Sequence, residues 1–413
     1  MKALYGLLAV ITPGHYTLHC CMAKLSTHVT AQTPVITNLR RDFHQHPELA
    51  FEEVRTASIV AHLLTEAGFA VQTGIGTTGV VGTLTTGKPG PTVLLRADFD
   101  ALPVSEETGL EFASTTPGRM HACGHDAHTA ILLGVARILG AERKNLTGTI
   151  VTVFQPAEEI GEGAEAMLAN GALTGITPDH VLGLHITSMH ELGTVHVSAG
   201  PTMAATDTVH IDIHGQGGHA AMPPHFIDPV VTAAHVITAL QTIVSRETDP
   251  LDQAVLSFGA IHGGTVANVI PEHVRVAGTL RTFSEETRTR LVSRITNIAT
   301  NTAEAFRCTA QVRFTEGTPA VVNNEAAVKR FTEVAKERLG AHNVHSQTPM
   351  MGGDDMALWL QQAPGVYFWL GASSGETTSY AHHHPKFDID ERALPIGVEL
   401  LTAAVLRLLE VTL

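Results

Sequence analysis

At 413 residues the chain exceeds what one hydrophobic core usually organises, so two domains are expected. A composition of 44% hydrophobic and 16% charged residues, with 37 Gly and 20 Pro, argues against a disordered, repetitive or fibrous chain. The net charge of −14 argues against a nucleic-acid or anionic-membrane partner, and no apolar run approaches the ~20 residues of a membrane span.

The first 21 residues open with Lys2 and the short apolar run LYGLLAVI, which no A-x-A cleavage site follows. They are read as a leader or tail ahead of the more ordinary start at Met22, and the protein as cytoplasmic, with export the alternative if residues 1–21 act as a signal. Cys20, Cys21, Cys123 and Cys308 have no framework spacing, which suits a reducing compartment, and Cys308 reads as buried filler.

Residues 51–67 place Phe51, Val54, Ser58, Ala61, Leu64 and Ala67 at helical spacing, closed by Gly68. Apolar strands are predicted at 80–84, 92–99, 149–155 and 180–186, with a helix over 126–140 (DAHTAILLGVARILG). Near-continuous apolar strands alternating with helices indicate an α/β fold with a mixed, mostly parallel sheet covered by helices. Such sheets gather ligands at the C-terminal ends of strands, where Asp98, Asp100, Glu158, Glu159 and His185 all stand.

The pattern changes after about residue 200. Val209, Ile211 and Ile213 alternate with His210, Asp212 and His214, as in a half-exposed strand. A helix at 228–245, strands near 254–262 and 273–283, a helix bearing Leu291, Ile295 and Ile298, and a strand at 310–314 follow. That β-α-β-β-α-β order predicts an inserted ferredoxin-like α+β domain over 203–315. Residues 22–202 and 316–413 then form the main domain, ending in a helix at 325–339, a strand at 366–371 and a helix from about 392.

Five potential metal ligands end apolar runs: Cys123 and His125 in HACGHDAHT, one of Glu158 and Glu159 in FQPAEE, His185 in GLHI, and a histidine of AHHHP. Thiolate, imidazole and carboxylate are the usual donors to a divalent transition metal. Adjacent glutamates delivered by an apolar strand repel each other unless a cation lies beside them, and the spare one can act as general base. Of the 25 histidines, only those beside other ligands at strand ends are informative; His262 reads as an ordinary strand-end polar residue. The pattern reads as a metallohydrolase.

RRDFHQHPELAFEE, HACGHDAHT, FQPAEE, GLHI, GGHAAMPP, ANVIPEHVRVAGTLRTF and HHPKFDIDE, in this order, resemble the M20 family of metallopeptidases and amidohydrolases. The branch is the one that holds hippurate hydrolase, N-acyl-amino-acid amidohydrolases and the plant auxin-conjugate hydrolases. The resemblance implies a catalytic di-metal domain and an inserted lid and dimerisation domain at 203–315. It implies two divalent ions (Mn, Zn, Co or Ni), bridged by Cys123, with His125, Glu159, His185 and His383 as terminal ligands. His383 is chosen because the family's ligand stands two before the proline; His384 is the fallback. Glu158 matches the catalytic base, His219 a catalytic histidine of the inserted domain, and Asn268 and Arg281 positions that grip substrate. Asp98 and Asp100 are left between orienting a ligand histidine and direct contact. Asp354 stands in MGGDDM where the family usually carries glutamate, which puts a substrate contact there in doubt.

The resemblance implies hydrolysis of N-acyl or N-aroyl amino acids by metal-activated water, in a homodimer paired through 203–315. Within the same chemistry the alternatives are a dipeptidase, a carboxypeptidase or a biosynthetic N-deacetylase. A non-catalytic metal-binding scaffold is the reading from a different class, and the presence of Glu158 weighs against it.

Overall fold

A computed structural model describes the backbone of residues 13–411 and the side chains from Lys24 onward. The leader reading of residues 1–21 falls outside these described side chains, although a helix, α1 (Pro13–Gln45), starts within that stretch. No described helix is long and apolar enough to cross a membrane. The chain divides into two compact units, one of Met1–Ser198, Asn324–Gln347 and Trp359–Leu413, the other of Ala199–Asn323 and Thr348–Leu358.

The first unit is built on an eight-stranded sheet. Its strands are β1 (Ala70–Ile75), β2 (Gly79–Thr85), β3 (Thr92–Asp98), β4 (Thr149–Gln155), β5 (His180–Glu191), β6 (Val195–His196), β7 (Val344–His345) and β8 (Gly365–Ser373). They lie in the order β1-β2-β4-β3-β5-β8-β6-β7. The central run β4-β3-β5-β8 is parallel, while β1 and β2 at one edge pair antiparallel. Strands β3, β4 and β8 are buried along nearly their whole length, as a sheet covered on both faces requires.

Helices α2 (Val54–Glu66), α3 (His125–Ala141), α4 (Glu325–Leu339) and α5 (Ala393–Leu408) match the predicted helices. Helix α3 is buried along most of its length and packs against α1 and α5. Sequence inspection missed α1, because its threonines, valines and Pro34 are poor helix formers. Tertiary burial overrides that propensity: Leu25, Val29, Ile36 and Phe43 all enter the main core. Gly134 lets α1 approach α3, since a Cβ there would lie 2.8 Å from the Ile36 side chain.

The second unit carries an antiparallel four-stranded sheet, in the order Ala254–Gly263, His273–Thr282, Ala205–His214, Thr309–Glu316. With helices Pro229–Thr242 and Glu285–Ala305 this is the predicted ferredoxin-like order. Val209, Ile211 and Ile213 are fully buried against Val236, Leu240, Leu291 and Ile295, while His214 on the other face is exposed. The segment Thr348–Leu358 joins this unit through bonds from Met350 N–H to the Thr202 carbonyl (3.0 Å) and from Ala204 N–H to the Gly352 carbonyl (2.9 Å).

Candidate metal centre

Four structural elements deliver the candidate ligands. Gly124, at the N-cap of α3, holds φ 91°, and a Cβ there would sit 2.5 Å from the Ile186 side chain. Only glycine meets both demands, so the C-G-H spacing sends Cys123 and His125 inward from either side of one tight turn. Strand β4 ends in Gln155–Pro156, and Ala157, at φ 54°, bends the chain so that Glu158 and Glu159 follow as a step. His185 lies on β5, its ring stacked on Trp369 of β8 at 4.4 Å. His383, at φ 66°, is brought in by a bond from its N–H to the Ala122 carbonyl, 2.7 Å.

These side chains converge. Cys123, His125 and His185 form one triplet of donor atoms within 4.8 Å of one another, and Cys123, Glu159 and His383 form a second. Cys123 belongs to both. Its Sγ is 3.6 Å from His185 Nε2, and His383 Nε2 is 3.4 Å from Glu159 Oε2. His125, Glu158 and Glu159 form a third group, with His125 Nε2 3.8 Å from Glu158 Oε2 and 3.9 Å from Glu159 Oε1.

Hydrogen bonds fix the ring tautomers. His125 Nδ1 donates to the Asp100 carbonyl (2.9 Å) and meets Asp100 Oδ1 at 3.2 Å, so Nε2 faces the cluster as a lone pair. His185 Nδ1 donates to the Ile186 carbonyl at 2.7 Å, leaving Nε2 toward Cys123. Two buried atoms, His125 Nε2 and Glu159 Oε1, have no hydrogen-bond partner. Such orphans are costly unless a cation satisfies them.

Burial, reinforced by Glu159, pushes the Cys123 thiol well above its ordinary range. Burial, with Asp100 and Asp98, raises the Glu159 carboxyl to about 7 against the pull of His125. Burial alone would depress His125, but Asp98 and Asp100 outweigh it and raise its affinity for a proton. The field that draws a proton onto His125 would equally hold a divalent cation. The donor set, thiolate, imidazole and carboxylate, suits a first-row transition ion rather than magnesium or calcium.

The Asp98 and Asp100 alternatives separate. Asp100 orients His125 and, through Oδ2, also accepts the Glu159 N–H at 3.0 Å. Asp98 holds His128 Nδ1 at 2.6 Å and approaches His125 Nε2 at 3.7 Å. His128 was not singled out from the sequence, although its position three residues after His125 puts both rings on one helix face. Its Nε2 accepts the Ile186 N–H at 2.9 Å, which ties α3, β3 and β5 together. Arg96 balances Asp98 from below, with Nη1 2.5 Å from Oδ2 and Nε 2.9 Å from Gln155 Oε1.

The histidine triplet also separates. His382 packs against His185 and Trp369, with Nε2 3.1 Å from the Ile186 carbonyl. His384 is exposed, stacked on Tyr380, its Nδ1 accepting the Lys386 N–H. Neither offers an atom to the triplets, whereas His383 does. Behind the cluster, buried Arg40 binds Asp126 and Asp388, both at 2.9 Å, joining α1, the start of α3 and the segment after His383.

The remaining predicted residues stand in the second unit. His219 is exposed on a short strand paired with Val269–Ile270, and its Nδ1 accepts the Ala221 N–H at 3.1 Å, which leaves the proton on Nε2. The Asn268 carbonyl accepts the Ala220 N–H at 3.1 Å, so Asn268 and His219 share this ribbon. Arg281 lies on strand His273–Thr282 opposite Thr206; partial burial lowers its pKa and Asp207 opposes the shift. Asp354 is buried and caps the turn that follows through the Met356 N–H, 2.7 Å.

Residues 94–407 match the model of peptidase family M20/M25/M40. The chain is 40% identical over 370 residues to IAA-amino acid hydrolase ILR1-like 4 of Arabidopsis thaliana, covering 88% of this chain and 83% of that one. It is 40% identical over 376 residues to N-acetyl-L-cysteine deacetylase of Bacillus subtilis, covering 91% and 88%. Among solved structures, a dinuclear metal-binding M20 peptidase of Bacillus subtilis superposes with a TM-score of 0.81 at 34% identity, over 93% of this chain and 100% of that one. With a thiol, imidazoles and carboxylates gathered in one cluster within the matched residues, the chain belongs to the M20/M25/M40 peptidase family and is a metal-dependent hydrolase.

Proposed function

We propose that the protein hydrolyses the amide bond of N-acyl or N-aroyl amino acids, releasing a carboxylate and a free amino acid. The observation that carries this reading is Glu158, a half-buried carboxylate beside the ligand cluster that belongs to neither triplet sharing Cys123. In this reading Cys123, His125, Glu159, His185 and His383 would hold two divalent ions (Mn, Zn, Co or Ni), Cys123 belonging to both donor triplets. When bound, the ions supply Lewis-acid activation of the amide carbonyl and of water.

The protein's own groups do the rest. Glu158 takes the proton of the attacking water and returns it to the amine nitrogen as the C–N bond breaks. Asp100 and the Ile186 carbonyl keep the His125 and His185 lone pairs directed inward. His219, with its proton on Nε2, is the proposed donor to the developing oxyanion. Arg281 and Asn268 are the proposed grip on the substrate carboxylate and amide. Two relatives bear names that describe this class of substrate, an IAA-amino acid hydrolase and an N-acetyl-L-cysteine deacetylase. We also read the second unit as the surface that pairs two chains, because strands Ala254–Gly263 and Thr309–Glu316 are open sheet edges.

The test is direct. Protein stripped with chelator is reloaded with Mn, Zn, Co or Ni and assayed on N-acetyl, N-benzoyl and indoleacyl amino acids alongside dipeptides. Metal-restored turnover of acyl-amino acids above dipeptides supports the proposal; turnover of dipeptides alone, or of nothing, rejects it. Gel filtration that shows only monomer at micromolar concentration rejects the dimer.

A further inference from the structure

The stretch RRDFHQHPELAFEE contributes no side chain to the metal triplets, yet its last residue, Glu53, is fully buried. Glu53 is the N-cap residue of α2 but does not cap it with its side chain. Glu48 does that instead, accepting the Arg55 and Thr56 N–H groups at 2.9 and 2.8 Å. The Glu53 carboxylate is thereby free for other partners. Oε2 accepts the Thr78 hydroxyl at 2.6 Å, and Oε1 accepts the Ala157 N–H at 3.0 Å.

No lysine, arginine or histidine among the described residues is ion-paired with this carboxylate, and burial, with Asp100 adding to it, raises its pKa to about 7. A buried carboxyl without a counter-cation costs stability, so each of its oxygens must be satisfied by a hydrogen bond whose loss would matter. One of those bonds ends at the hinge of the site. Ala157 holds φ 54°, a left-handed conformation unfavourable for any residue with a Cβ. Its carbonyl accepts the Glu162 and Gly163 N–H groups at 3.3 and 3.2 Å, and Gly163 is so close to Pro156 that a Cβ would lie 1.6 Å from the Pro156 carbonyl oxygen. Two residues beyond Ala157, Asp100 Oδ2 takes the Glu159 N–H at 3.0 Å. The step that carries Glu158 and Glu159 is therefore gripped at alternate amides by two acids from different parts of the chain.

We infer that Glu53 is a positioning residue for the Glu158–Glu159 step: its grip on the Ala157 amide fixes the left-handed bend that turns Glu159 into the cation site and leaves Glu158 beside it. This rests on the roles given above to Glu158 and Glu159. What the bend needs is an acceptor at Oε1, not a negative charge. Glutamine supplies the same acceptor to Ala157 and can donate to the Thr78 oxygen; alanine supplies neither.

The experiment compares wild type, Glu53→Gln and Glu53→Ala, each stripped and titrated with Co²⁺, following cobalt affinity by absorbance and the thermal midpoint of the apo protein. Cobalt binding is read without any substrate, so a wrong choice of substrate leaves the comparison intact. Glu53→Ala is expected to weaken the looser cobalt equivalent about tenfold or more, the usual effect of losing a group that orients a ligand. Glu53→Gln is expected to stay within about threefold of wild type, and wherever turnover is measurable Glu53→Ala lowers kcat with little change in KM. Unchanged cobalt affinity in Glu53→Ala overturns the inference, and so does equal loss in both variants, which would make the charge rather than the acceptor decisive. If Glu53→Ala fails to fold, Thr78→Val, which frees the carboxylate to rotate, replaces it with the same two outcomes.

Discussion

His128 Nδ1 meets Asp98 Oδ1 at 2.6 Å while its Nε2 accepts the Ile186 N–H at 2.9 Å. One ring thus couples the end of β3 and the middle of β5 to the helix that begins at His125, and its neighbour Asp98 reaches within 3.7 Å of His125 Nε2. Asp98→Asn keeps the shape but removes the charge that stabilises cations there and offers an amide N–H in place of an acceptor. Metal retained after dialysis against graded chelator, measured by elemental analysis, should correspond to an affinity lower by about 10- to 100-fold. Retention equal to wild type would mean that Asp98 serves only the fold.

Gly124 is the second lever. Gly124→Ala must hold a Cβ at φ 91° and 2.5 Å from Ile186, which should destabilise the native state by about 1–3 kcal/mol. Since the turn aims Cys123 and His125, the variant should also bind cobalt more weakly than its loss of stability explains. Denaturant titration of apo and loaded protein separates the two effects.

Much of this candidate site was legible in the sequence because its residues are local signals: Cys123 and His125 two apart, the Glu158–Glu159 step after an apolar strand, and His185 in an apolar run, although β5 continues to Glu191 and so places His185 within the strand rather than at its end. His128 was passed over because its three-residue spacing from His125 marks a shared helix face but not its partner, Asp98 on β3. Glu53 gave no sign, since its partner Ala157 is 104 residues away. Helix α1 was missed because burial of Leu25, Val29, Ile36 and Phe43 outweighs a sequence poor in helix formers. The two-residue strands Val195–His196 and Val344–His345 are too short to show alternation.

Those short strands, with His190 of β5, carry a pH-dependent feature. His190, His196 and His345 stack in series, with ring centroids 3.5 and 4.9 Å apart. Burial, then the neighbouring imidazoles, lowers His190 and brings His196 down to about 4 from its ordinary 6.5. In that window the unfolded chain binds protons that His190 and His196 refuse in the native state, so the contribution is fully present above about pH 6.5 and is lost as pH falls toward 4. Thermal midpoints should show His196→Gln gaining on wild type as pH is lowered from 7 to 4.5. A difference independent of pH would contradict the assignment.

Glu158→Gln tests the base. It should cut kcat by about 10²- to 10⁴-fold on whichever acyl-amino acid is turned over. Metal content should stay that of wild type, because Glu158 lies outside both triplets that share Cys123. Unchanged turnover would move the base elsewhere, and lost metal would make Glu158 a ligand.

Cys123 is proposed to join two cation sites. Titrating the stripped protein with Co²⁺ while recording the sulfur-to-cobalt charge-transfer absorption tests it without reference to substrate. Two equivalents should bind per chain with that absorption present, and Cys123→Ala should abolish the absorption and weaken both equivalents. Cobalt that binds Cys123→Ala as it binds wild type, or that binds wild type with no thiolate signal, would contradict the account.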